Sequence, residues 1–318
     1  MLLRMRSLLA LAGCALLSVP ASAVTIDWIP IGDPGNAADT AGNCYSAGCG
    51  SVADPYRIGK YEVTNEQYAE FLTAKAVSDP LGLYNTQMAG TSGGITRSGS
   101  AGSYTYSVKA GWETKAVNWV SAYDAMRFVN WLGNGQGVGD TETGAYTLLG
   151  GTATPSNGLT VTRNAGAITF LPSENEWYKA AYYDGLSANY FDYPAGSDAV
   201  TTCAAPGGTP NTANCSLVVG NVTQVGAYVN SASPYGTFDQ GGNVREWNDT
   251  IVSDTYRGVR GGTFYSVVGH LAASYRGRGD PTNEGSFLGF RVASLPEPGA
   301  MLLLITGLTG LALRQRRS

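Results

Sequence analysis

The sequence predicts an α+β domain, irregular, loop-rich and single, over residues 24–295 of the 318. Three observations lead there. Helical periodicity with start and stop signals occurs in a few short stretches only. Short strand-like runs are scattered between and after them. Long Gly/Ser/Thr-rich runs separate both, in a chain with 43 Gly and 19 Tyr. Such a composition suits a loop-rich exported protein better than a helical bundle.

Tyr56 to Val63 reads as the first clear strand. In "VTNEQYAEFLTAKA" Thr64 then N-caps a helix, with Gln67 at the reciprocal position of a capping box. Residues 84–110 are turn-rich, with a hairpin expected in "RSGSAGSYTYSVKAG". Ser121 caps the helix of "VSAYDAMRFVNWLG". Ala125, Phe128, Val129 and Leu132 recur at helical spacing, and Gly133 stops it. After the loop-like run 133–168, Ser173 and Glu176 form a second capping box. Trp177, Ala180 and Ala181 make an apolar stripe, and Gly185 is expected to end that helix. Within the loop-like run 185–235 a strand is expected at Gly226–Val229, and beyond it at Arg257–Gly261 and Gly289–Val292. The apolar stripes read as core packing.

Both ends read as addresses. "MLLRMRSLLALAGCALLSVPASAVTIDW" places Arg4 and Arg6 before an apolar run and an Ala21-Ser22-Ala23 site. Residues 1–23 therefore read as a secretory signal cleaved after Ala23; lipoprotein processing at Cys14 in "LAGC" is the alternative. At the other end, Gly299–Leu313 is apolar and Arg314, Arg316 and Arg317 follow. The run is short for a permanent transmembrane helix, which needs roughly 20 residues, and the basic cluster is a positive-inside stop signal. Pro296-Glu297-Pro298, the short span and the arginines together resemble a PEP-CTERM sorting signal over 296–318. That resemblance implies export in a Gram-negative bacterium and an exosortase as sorting partner. It also implies transient anchoring in the inner membrane and a cell-surface or extracellular destination.

Net charge is −4 and charged residues make up 14%, so no basic face for nucleic acid is expected. His270 is the single histidine, which excludes a multi-histidine metal centre. Once Cys14 is removed, Cys44, Cys49, Cys203 and Cys215 remain, in two loop-borne pairs. Four cysteines allow three connectivities. Spacing and an oxidising compartment favour Cys44–Cys49 and Cys203–Cys215.

The stretch "FDQGGNVREWN" sets Asp239 and Glu246 on a backbone loosened by Gly241 and Gly242. Neither strand nor helix favours this composition. Two readings fit the residues: a calcium-binding loop, since calcium takes six to eight oxygens at about 2.3–2.6 Å, or a tight turn whose carboxylates pair with arginines.

The order of motifs adds a resemblance. "RIGKYEVTNEQYAEFL", "AVNWVSAYDAMRFVNWLG", "LPSENEWYKAAYYDG", "SPYGTFDQGGNVREWN", "RGVRGGTFYS" and "GFRVAS" follow one another from Tyr56 to Ser294. The series resembles the formylglycine-generating enzyme (sulfatase-modifying factor) family. It implies the fold of that family, related to C-type lectins. It also implies a structural calcium held by the side chains of Asp239 and Glu246 and the carbonyls of Gly242 and Val244. Asn214 matches one ligand of the family's other calcium site, whose remaining ligands stay open.

One departure bears on activity. The family's oxidases hold copper with two cysteines after the R-G-G motif. Here "RGGTFYSVVGHLAASYRGRGD" has Ser266 at the first position, and no sulfur lies between Cys215 and Met301. A hydroxyl does not hold Cu(I), so no copper is expected. Ser266 and His270 as a nucleophile–base pair is the sharper alternative; a loop histidine is the bland one. Arg260, Arg276, Arg278 and Arg291 read as core ion pairs with Glu62, Glu176 or Glu246, or as lining for an anionic ligand. The leading expectation is a calcium-stabilised binding module for a glycan or peptide. The alternatives are an enzyme of altered chemistry in a groove of Trp119, Tyr265, Ser266 and Arg276, and a purely structural matrix component. Tyr104, Tyr106, Tyr182 and Tyr183 are expected as exposed ligand-facing aromatics.

Overall fold

The computed structural model describes residues 23–40, 48–253 and 255–296. Of the leader expected at 1–23 and the sorting signal expected at 296–318, residues 1–22 and 297–318 lie outside the described residues, as does Cys44. Strands β1 (Trp28–Ile31) and β2 (Tyr56–Gly59) precede helix α1 (Asn65–Lys75). The hairpin of β3 (Ile95–Ser98) and β4 (Thr105–Val108) leads to α2 (Ala122–Gly133). Next come β5 (Thr169–Phe170), α3 (Glu174–Tyr182), and the short pairs β6 (Tyr183–Asp184) with β7 (Asn189–Tyr190) and β8 (Thr202–Cys203) with β9 (Thr212–Ala213). Finally come β10 (Arg245–Ser253), β11 (Tyr256–Arg260), β12 (Gly277–Gly279), β13 (Leu288–Phe290) and β14 (Ala293–Ser294).

Each helix starts where its cap dictates. Thr64 with Gln67 and Ser173 with Glu176 close the expected capping boxes. Ser121 forms a third with Asp124, an acid standing where Glu or Gln is usual. α3 stops at Tyr182 rather than at Gly185, because Tyr183 turns extended to pair with Tyr190. Gly226–Val229 is not a strand: Gly226 sits at φ +71°, which ends any extended run, and its N–H points to Asp239. The first predicted strand is cut short at Gly59, where the chain leaves the sheet.

Two four-stranded sheets frame the molecule, ordered β1-β2-β14-β5 and β12-β11-β10-β13. In the second, β13 runs parallel to β10 with Trp247 opposite Phe290, and β11 runs antiparallel with Glu246 opposite Arg260. The core fills the space between α1, α2 and these sheets. Tyr68, Phe71, Phe128, Trp131 and Phe290 pack with ring centroids 5.2–6.4 Å apart. Such pairs contribute about 0.5–1.5 kcal/mol each beyond area burial. Trp247 is fully buried and donates Nε1 to Val120 O at 3.0 Å, so it belongs to the core.

Cys203 and Cys215 are disulfide-bonded across a separation of 12 residues. A loop of that length stabilises by about 3 kcal/mol through the unfolded chain. Cys49 is disulfide-bonded too; its expected partner Cys44 lies outside the described residues. No helix of the described residues is long and apolar enough to cross a membrane, and the short span expected at Gly299–Leu313 lies outside them.

Candidate functional site

Loop 238–246 approaches β10 through backbone that few residues tolerate. Asp239, Gly242 and Asn243 all have positive φ, at +60°, +87° and +54°. A Cβ at Gly242 would lie 2.3 Å from Asn214 O, so glycine is required there. This turn aims carboxylates inward. Asp239 is buried and accepts from Gly226 N at 2.5 Å. Glu246 is fully buried, and both its oxygens are engaged. Oε2 accepts from Trp177 Nε1 at 2.7 Å and Arg291 Nε at 2.5 Å, and Oε1 accepts from Arg291 Nη2 at 2.7 Å. Arg291 also donates to the carbonyls of Gly59 and Phe238.

Glu62, expected from the sequence only as a partner for the arginines, completes this cluster. Glu62 is buried; Oε1 accepts from Asn243 Nδ2 at 3.0 Å, while Oε2 has no partner. Asn214 Oδ1, beside Gly242, is equally unpartnered. Burial, then the charges of Asp239 and Glu246, hold the Glu62 carboxyl well above the usual carboxylate range. Burial likewise pushes Asp239 up to about 6, against the Gly226 N–H and Arg291. Three buried carboxylates thus face one buried guanidinium. Among the described residues, no three His, Cys, Asp or Glu side chains stand as a group that holds a metal in this arrangement. The sequence carries a signal for the place of Glu62 here: an acid inside "YEVTN", between a tyrosine and a valine and two residues ahead of the helix cap Thr64.

The groove residues separate. Ser266 is buried; its Oγ lies 2.9 Å from Thr263 Oγ1, which also accepts from Ser266 N at 3.1 Å. That hydroxyl closes a turn. His270 instead stacks on Tyr275 with centroids 4.1 Å apart, and burial, then Arg245, lowers its pKa. Tyr265 is 41% exposed and packs edge-on against Phe287. Trp119 has φ +61° and a buried Nε1 without a partner. Arg276 does not face this region. It clamps Glu174 at 2.9 and 2.5 Å, together with Arg260 at 3.0 and 2.7 Å. Of the expected core pairs Arg291 with Glu246 is present, whereas Arg260 and Arg276 both pair with Glu174, an acid outside the expected set. Arg278 lies over the Tyr256 ring, and Glu176 binds Arg163. Nor do Tyr182 and Tyr183 offer a ligand face: the end of α3 and the start of β6 carry them into the interior, 1% and 5% exposed. Tyr104 and Tyr106 are half-buried, and Tyr106 donates to Ala76 O.

Comparisons with known proteins agree with this architecture. The family model of the sulfatase-modifying factor enzyme 1-like domain matches residues 35–295. A curated relative, "Chaperone protein LppX" of Paenibacillus barcinonensis, is 28% identical over 281 residues, covering 81% of this chain and 86% of its own. Among solved structures, CarF superposes with a TM-score of 0.57 at 20% identity, covering 86% of this chain and 99% of CarF. Variable protein 1 of Treponema denticola gives 0.52 at 20% identity, covering 85% and 95%. Both structures share the fold.

Proposed function

Since the chain belongs to the sulfatase-modifying factor enzyme 1-like family, we propose that it is an exported member that acts as a calcium-stabilised binding module without copper oxidase chemistry. The observation that carries this reading is the turn at residues 263–266. Where the family's first copper cysteine would stand there is a serine, and its hydroxyl is bonded inside the fold to Thr263. No thiol lies between Cys215 and Met301, and an alcohol supplies neither a soft copper ligand nor thiolate redox chemistry. The chaperone name of the Paenibacillus relative is in keeping with binding rather than oxidation.

The calcium reading rests on charge and on unpaired atoms. Glu62, Asp239 and Glu246 outnumber Arg291, and Glu62 Oε2 is buried without a donor. A divalent cation would balance that excess, bound by the Asp239 and Glu62 carboxylates and the Gly242 and Val244 carbonyls, with Glu246 shared between it and Arg291. Calcium suits such a hard, all-oxygen set. Export rests on the leader and the sorting signal, with exosortase and the inner membrane as the transient partners.

Two assays test the proposal. The purified protein, supplied with copper and a cysteine peptide, is expected to form no formylglycine above a no-enzyme control; turnover would overturn the loss of oxidase chemistry. The calcium-loaded protein, probed on glycan and peptide arrays, is expected to retain a defined class of ligand. Failure to retain any would remove the binding role.

A further inference from the structure

Unpartnered buried polar atoms are few among the described residues, yet three flank one short loop, 285–287. Asn118 donates Nδ2 to Ser286 O at 2.8 Å and leaves Oδ1 without a partner. Trp119 N bonds Gly285 O, and the indole Nε1 has no acceptor. Arg245 N bonds Phe287 O, and its buried Nε has none either. The Arg245 guanidinium forms no ion pair among the described residues and lies over the Tyr275 ring at 5.7 Å. Its neighbour Glu246 serves Arg291 instead, since successive strand residues face opposite sides. A buried donor left unpaired costs about 1–3 kcal/mol, so three such atoms at one loop call for partners from outside the chain.

An apolar face adjoins them. Tyr265 stands 41% exposed against Phe287. Backbone bonds from Leu217 N to Phe264 O and from Ser216 N to Ser266 O hold the neighbouring loop there. Ser216 and Leu217 both take left-handed backbone, at φ 52° and 59°. Leu217, Val218 and, across from them, Val267 are 59%, 51% and 62% exposed.

We propose that this face binds a peptide segment carrying an acidic side chain between apolar ones. Arg245 takes the carboxylate, and Trp119 Nε1 and Asn118 Oδ1 take the C=O and N–H of an adjacent peptide group. The assignment rests on the binding-module reading and gives it a ligand class. One free donor and one free acceptor match a peptide unit, which carries one of each. The planar guanidinium fork matches a carboxylate. An acidic saccharide would satisfy Arg245 but leave the Leu217–Val218–Val267 surface in water.

The test uses two blocked hexapeptides that differ only in a central Asp or Asn flanked by Leu and Val, and a glucuronic-acid trisaccharide. Each is titrated into the purified protein by calorimetry. The Asp peptide is expected to bind about tenfold or more tighter than the Asn peptide, as a charged hydrogen bond warrants. Arg245→Gln is expected to bring the two within about twofold, whereas Trp119→Phe weakens both alike. If Arg245→Gln does not fold, Arg245→Met, which keeps the stem but not the charge, is read the same way. Equal binding of the two peptides, binding of neither, or a preference untouched by the Arg245 variant overturns the proposal. Binding of the trisaccharide alone also overturns it, while leaving the binding-module reading standing.

Discussion

Two regions of this molecule are crowded with buried charge, and they are resolved in opposite ways. At the start of α3, Glu174 receives both Arg260 and Arg276, and Arg260 places its remaining N–H groups on the carbonyls of Ala273 and Tyr275. Each charge there meets its counterpart inside the chain. Around loop 238–246, Glu62, Asp239 and Glu246 share one Arg291, and oxygens of Glu62 and Asn214 stay unpaired. The first cluster is architecture, complete in itself. The second is complete only if something from outside the chain joins it. Truncating the first should therefore be costly under all conditions. Glu174→Ala strands two guanidiniums and is expected to lower unfolding free energy by about 3–5 kcal/mol, read from urea denaturation. A loss below about 1 kcal/mol would erase the distinction between the regions.

The second cluster should instead respond to an ion. At free calcium near 100 times Kd, stability is expected to rise by about 2.7 kcal/mol over the chelated protein. Asp239→Asn and Glu62→Gln should each remove that increment. Each should also leave the calcium-free protein at least as stable as its parent, because each removes a poorly compensated buried charge. An unmoved melting curve on chelation would recast the loop as a turn paired to arginine, with Arg291 as the partner.

What the sequence made legible follows the same division. Local signals were readable because they act over a few residues: the Thr64 and Ser173 capping boxes, the Ser121 cap, the hairpin before α2 and the Cys203–Cys215 pairing all appear where expected. Non-local pairings were not. Nothing in "SENEW" says that Glu174 rather than Glu176 collects Arg260 and Arg276, since those partners lie 86 and 102 residues away. Tyr182 and Tyr183 look like surface aromatics in a linear reading, yet three-dimensional packing buries both. The Gly226 run has strand-like neighbours, but a left-handed glycine and the Asp239 carboxylate decide its course. Arg276, expected in the groove, turns to Glu174, whereas the cation near Tyr265 is Arg245, contributed by β10 from more than 30 residues earlier in the chain.

A third group of charges separates the two behaviours by pH. Glu284 accepts from Asn85 and faces Asp124, which is capped by Ser121 and lies 4.0 Å from Arg127. Burial first, and the Asp124 charge second, push Glu284 up to about 7, with Asp79 adding to the effect. A carboxyl whose folded pKa exceeds its unfolded value holds its proton more tightly in the native state. Its contribution is therefore full below the ordinary value of 4.5 and is lost as pH rises through about 7. Stability in chelator should fall across that window, and Glu284→Gln should flatten the fall. A slope unchanged in the Gln variant would move the origin elsewhere, with Glu62 and Asp239 as the next groups to test.

The smallest effect expected is the sharpest test of the comparison. Arg245 and Arg260 begin and end the paired strands β10 and β11, and both extend guanidiniums into protein. Arg260 is 1% exposed with acid and carbonyl partners throughout. Arg245 has a ring beneath it and a buried Nε without an acceptor. Replacing Arg245 by Gln forfeits a cation–π contact of about 0.5–1 kcal/mol, but it also deletes an unpaired N–H whose burial costs about 1–3 kcal/mol. These terms oppose each other, so Arg245→Gln is expected to shift unfolding free energy by less than about 1 kcal/mol in either direction. The same change at Arg260 leaves Glu174 short of a partner and should resemble the Glu174 truncation. Parallel urea titrations of the two variants make the measurement. If Arg245→Gln proves as damaging as Arg260→Gln, then Arg245 belongs to the architecture, and the unpaired atoms around loop 285–287 no longer mark a place for a ligand.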